Sequence, residues 1–82
     1  MRLDKFLKVS RIIKRRTVAG EACDDGRAEI NGRLAKAGTR VKEGDVITLH
    51  FGDKTFSFKV LCVKEVVRKE EAADMYEVIG EN

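Results

Sequence analysis

The apolar positions of this chain change period once, and the change divides it into two halves. Over residues 2–10, Leu3, Phe6, Leu7 and the small Ser10 fall on one arc of a helical wheel, while Arg2, Asp4, Lys5, Lys8 and Arg11 occupy the rest. Ile12 and Ile13 are adjacent and break that phase, which predicts a turn with Ile13 tucked inward. A second helix is predicted over residues 15–24. Val18, Ala19, Ala22 and Cys23 form its buried face, and Gly26 serves as a left-handed stop. Gly20 inside this helix weakens it by about 1 kcal/mol relative to alanine, and close packing against a neighbour is the usual compensation.

After Gly26 the period becomes two. Residues 28–30 read as a short strand ended by the turn Asn31-Gly32. Residues 36–40 are loop-like, Glu43-Gly44-Asp45 turns the chain, and 46–51 alternate as a strand. Gly52-Asp53 then leads into a strand over 55–63 with Phe56, Phe58, Val60 and Cys62 on one side. Residues 69–75 suit one or two helical turns, and 76–79 a last strand. Two N-terminal helices followed by a small, mostly antiparallel sheet make an α+β plan.

Composition narrows the chemistry. Eighty-two residues with 43% hydrophobic content and five aromatics predict a single domain over 1–82 with an aliphatic core and no large ligand cavity. Cys23 and Cys62 are isolated and read as small buried hydrophobes, which fits a reducing, cytoplasmic setting. His50 has no obvious carboxylate or cysteine companion and reads as structural, so neither a metal nor a cofactor is expected. No apolar run approaches the roughly 20 residues of a membrane span, and the charged N-terminus does not resemble a secretory signal. No nucleophile–base pair, phosphate-cradling glycine loop or framed carboxylate pair occurs, so an enzyme is not expected.

Charge is where the chain becomes specific. Seven of its seventeen basic residues lie in the first sixteen positions with one acid, Asp4, giving that segment +6 in a chain of net charge +3. Residues 69–82 carry five acids and one base, so this short C-terminal extension is −4. A concentrated positive end on a small domain is the footprint of a polyanionic partner. Lys14, Arg15 and Arg16 crowd the start of the second helix, where the helix dipole disfavours cations and open N–H groups attract phosphate.

The ordered set R-L-D-K-F-L-K-V-S-R (2–11), K-R-R-T (14–17), D-G-R (25–27), I-N-G (30–32) with Lys36, and V-K-E-G-D-V-I (41–47) resembles the S-four RNA-binding domain. With R-K-E-E-A-A-D-M-Y-E (68–77) near the end, the chain is similar to the ribosome-associated quality control family RqcP, short relatives of the fifteen-kilodalton heat-shock protein. The resemblance implies a pair of helices on a bent sheet and binding to the large ribosomal subunit. Its implied partners are ribosomal RNA, tRNA and a protein that elongates the stalled chain with a tail. A monomer is expected off the ribosome.

The resemblance places RNA contacts at Arg2, Asp4, Lys5, Arg11, Arg15, Arg16 and Thr17, with Lys36 as an edge contact, and the basic cluster adds Lys14. Arg15 and Arg16 lead this set, because guanidinium groups contact phosphate bidentately. Asp4 is expected either to orient Arg11 or Lys8 or to cap the first helix, with the orienting role preferred. Phe51, Phe56 and Phe58 suit a core face better than a base-stacking platform. Two rival readings remain. One is a helix-turn-helix DNA-binding protein, opposed by the small and acidic helix body V-A-G-E-A-C-D-D after Thr17. The other is an adaptor whose acidic tail docks a basic partner.

Overall fold

A computed structural model describes residues 1–81. Helix α1 (Leu3–Val9) and helix α2 (Arg16–Asp24) precede strands β1 (Ala28–Ile30), β2 (Arg33–Leu34), β3 (Val46–Phe51) and β4 (Lys54–Val60). A 3-10 helix (Lys69–Met75) then leads into β5 (Tyr76–Glu81). The five strands form one bent antiparallel sheet in the order β2-β1-β3-β4-β5. The helices pack on one face of it, which is the expected α+β arrangement.

The apolar stripe of α1 explains the packing. Leu3, Phe6 and Leu7 are fully buried and meet Ile47, Leu49, Phe58 and Val60 from alternate positions of β3 and β4. Phe6 stacks parallel to Phe58 with ring centroids 6.4 Å apart, and Phe58 also meets Phe56 at 5.4 Å and Tyr76 at 5.5 Å. Ile13 joins this core from the turn between the helices, as its position predicts. Gly26 carries the left-handed stop of α2 at φ 79°, and Asn31 and Gly32 turn β1 into β2 at φ 52° and 82°.

A seven-residue helix is too short to stand alone in water, and α1 is held from outside. Val41 N–H donates to Met1 O (2.8 Å), Leu3 N–H to Thr39 O (2.8 Å) and Asp4 N–H to Ala37 O (3.1 Å). The start of the chain is thereby strapped, strand-like, along residues 37–41. Asp24 of α2 fixes the same loop by accepting from Ala37 N–H at 3.1 Å.

Several local expectations are corrected. Val18 is 48% exposed, because only Ala19, Ala22 and Cys23 of α2 turn toward the core. Strand β4 ends at Val60, not 63: the N–H groups of Leu61 and Cys62 both point at Met75 O, pulling the chain out of the sheet. Cys62 is therefore only half-buried, whereas Cys23 is fully buried. Phe51 sits at the end of its strand and is 42% exposed. His50 does have a carboxylate partner, since Glu29 Oε2 lies 2.6 Å from its Nε2 across the open face of the sheet. The acidic segment is the fifth strand with its lead-in helix, and it runs beside β4 to Glu81.

Candidate nucleic-acid interface

Asp4 lies in the first turn of α1 with only 6% of its surface exposed. Its Oδ1 accepts from Lys5 N–H at 2.8 Å and from Arg2 Nε at 3.2 Å. Its Oδ2 lies 3.3 Å from an Arg2 terminal nitrogen and 3.4 Å from Arg16 Nε. The carboxylate thus stands between two guanidinium groups, one preceding α1 and one opening α2. Burial opposes its charge. The hydrogen bonds from Arg16 and Arg2, with the Lys5 N–H, more than offset this and hold the carboxyl below its usual 3.8.

Asp4 is therefore an orienting residue, as expected, but its partners are Arg2 and Arg16 instead of Arg11 or Lys8. Both arginine side chains remain about half exposed, at 50% and 48%. Each guanidinium is anchored on one edge and offers its other N–H donors to solvent, which suits bidentate contact with phosphate. Small residues line the surface beside them: a Cβ on Gly20 would meet Ala37 and Asp4, and one on Gly38 would meet the Arg2 guanidinium at 3.8 Å. A methyl group on Gly20 would make only ordinary van der Waals contacts with Ala37 and Asp4, so close packing does not require glycine there.

The start of α2 completes this surface. Arg15 is its N-cap residue in extended backbone and supplies no side-chain cap, so the first N–H groups of the helix lack side-chain acceptors. Thr17 is exposed on the concave face with Arg2, Asp4 and Arg16, while Glu21, Asp24 and Asp25 bound its other end. This face thus runs from basic residues at the start of α2 to acidic ones at its end. Open helix N–H groups beside two guanidinium donors are chemically suited to a phosphate oxygen.

The remaining candidates separate into different surroundings. Lys36 lies at the acidic end, where its Nζ is 3.4 Å from Asp24 O. Lys5 pairs with Glu65, whose exposed carboxyl that contact lowers. Arg15 is exposed, with no carboxylate within ion-pairing distance among the described residues. Arg11 and Lys14 line a second cleft together with Lys8 and Lys69. Lys8 and Lys69 were not among the expected contacts. The i, i+3 spacing of Lys8 and Arg11 signals the first, but Lys69 stands in an acidic stretch and only the fold brings it there. Among the described residues, no group of three or more His, Cys, Asp or Glu side chains gathers as a metal site, and no helix is long and apolar enough to cross a membrane.

Known proteins match this chain along nearly its full length. The family model of the S4 domain matches residues 1–47. The RQC P-site tRNA stabilizing factor of Halalkalibacterium halodurans is 62% identical over 78 residues, covering 95% of this chain and 89% of that protein. Its namesake from Streptococcus pneumoniae is 57% identical over 81 residues, covering 99% and 92%. Among solved structures, the trimeric heat shock protein 15 of Vibrio cholerae superposes with a TM-score of 0.87 at 30% identity, covering 96% of this chain and 81% of that one.

Proposed function

The chain belongs to the S4-domain family and is closely related to the RQC P-site tRNA stabilizing factors, and from that premise we propose that it is a non-catalytic protein that binds structured RNA of the large ribosomal subunit together with tRNA. On this reading it acts in the cytoplasm, on subunits obstructed by a stalled peptidyl-tRNA, while a partner protein elongates the nascent chain. The observation that carries the reading is the Asp4-anchored pair Arg2 and Arg16, which joins the two helices of the matched domain. Two oriented guanidinium groups beside open helix N–H donors favour backbone geometry over base sequence.

The DNA-binding alternative gains nothing from the fold, since the exposed later part of α2 carries Glu21 and Asp24, followed by Asp25. The tail-adaptor alternative is compatible with this reading, because residues 76–81 pair with β4 while Glu70, Asp74, Glu77 and Glu81 stay exposed. The test is co-sedimentation from cells. Free large subunits carrying peptidyl-tRNA are the expected company, and mature small subunits or chromosomal DNA would overturn the reading. With about four to six phosphate contacts, log K for large subunits should fall against log salt with a slope of roughly −3 to −5.

A further inference from the structure

The cleft lined by Lys8, Arg11, Lys14 and Lys69 shares no residue with the surface around Asp4. Lys8 lies in the last turn of α1, Arg11 and Lys14 follow in the turn between the helices, and Lys69 begins the 3-10 helix. Among the described residues, none of these four cations has a carboxylate within ion-pairing distance. Glu65 stands on the adjoining wall, but Lys5 holds its carboxylate. Glu71, two residues after Lys69, receives the Arg68 N–H at 3.3 Å. Four like charges gathered without a counter-charge repel one another unless an anion is shared among them.

Two further features point to the same ligand. Arg11 has φ 63°, in the left-handed region that side chains rarely adopt. Every other residue with positive φ among those described is glycine or Asn31. Its backbone is fixed at the end of α1, with Arg11 N–H on Lys8 O (3.0 Å) and Ile13 N–H on Leu7 O (3.1 Å). Arginine there forgoes local stability that glycine would supply, and gains a cation aimed into the cleft. Beside Lys8 and Arg11 stands Val66, 87% exposed, on the loop that Glu65 ties to α1. An apolar side chain next to phosphate-binding cations is placed to pack on a sugar or base edge.

We propose that Lys8, Arg11, Lys14 and Lys69 form a second phosphodiester-binding cleft, with Val66 resting on a ribose or base, which grips a stretch of RNA distinct from that held by Arg2 and Arg16. The inference rests on the RNA-binding reading above. Lys8 lies about 9 Å beyond Arg2 along the axis of α1, and the two line different clefts. Lys69 and Val66 lie beyond the residues matched by the S4 model, so the later part of the chain contributes contacts of its own.

The experiment measures binding of the full chain to purified large ribosomal subunits over a range of KCl concentrations. The double variant Lys8→Glu, Lys69→Glu should bind at least about tenfold more weakly, with a salt slope shallower by about 2. A control of equal charge change, Lys54→Glu with Lys59→Glu on the β3–β4 hairpin, should leave the slope unchanged. If both doubles behave alike, the cleft is overturned while the RNA reading stands. If Arg16→Glu retains full affinity as well, the RNA reading itself falls. Arg11→Gly separates fold from binding: Tm should rise by about 4 °C while affinity drops. A rise in Tm with unchanged affinity overturns the role given to Arg11.

Discussion

Two cationic surfaces flank α1, and they differ in whether an acid stands among the cations. Around Asp4, a buried carboxylate holds Arg2 and Arg16 by their edges and leaves their remaining donors aimed outward. Around Lys8, Arg11, Lys14 and Lys69, the cations have no such anchor and act through their summed field. An anchored guanidinium has already lost part of its rotamer freedom before RNA arrives, so less is lost on contact. An acid inside a basic surface can therefore strengthen binding while it lowers the net charge.

Among substitutions on these surfaces, Arg16→Glu should weaken binding most. It removes one fork and sets a new carboxylate against Asp4, so affinity for large subunits should fall by about 3 kcal/mol or more. Filter binding at fixed salt would measure it, and an undiminished affinity defeats the electrostatic mechanism. Asp4→Asn sharpens the contrast by opposing charge to orientation. Net charge rises from +3 to +4, yet affinity should drop by about 1–2 kcal/mol as both arginines lose their anchor. Tighter binding in that variant would show that charge alone decides.

The pH response is the next smaller effect. Asp4 has its carboxyl below the usual 3.8, so its contribution to stability is fully present above that value. It is lost as pH falls through the still lower folded-state value. Urea midpoints should show a fall below about pH 4 that Asp4→Asn reduces. An identical acid profile in the two proteins would contradict the pairing. The smallest effect belongs to Glu65→Gln, which frees Lys5 from an exposed pair. Affinity should change by about twofold or less, with stability unaltered, because exposed ion pairs contribute little.

Much of the fold was legible because period and turn chemistry are local. The 3.6 phase of Leu3, Phe6 and Leu7 and the alternation through β3 translate directly into buried faces. Strand β2 was not legible: two exposed residues, Arg33 and Leu34, carry no pattern and pair only because the Asn31-Gly32 turn folds them back on β1. The end of β4 was misplaced because alternation continues through Cys62, whereas Met75 O, from a later segment, decides where the strand stops. For the site, residue types and the basic cluster were readable, and partnerships were not. Asp4 sits one turn from Lys8, but the 37–38 loop and the approach of α2 bring Arg16 to it. Lys69 was hidden for the same reason, since three-dimensional proximity cancels an unpromising local charge.

The strap that ties Met1, Leu3 and Asp4 to residues 37–41 makes the basic segment depend on residues far from it in the chain. Residues 2–16 carry most of the candidate contacts, yet α1 alone is too short to persist and cannot by itself align Arg2 with Arg16. Their alignment waits for the loop, and the core beneath it waits for Phe58 and Val60. Alignment of the two arginines is therefore a property of the folded domain, and a fragment ending before Phe58 should carry the same charges without their arrangement.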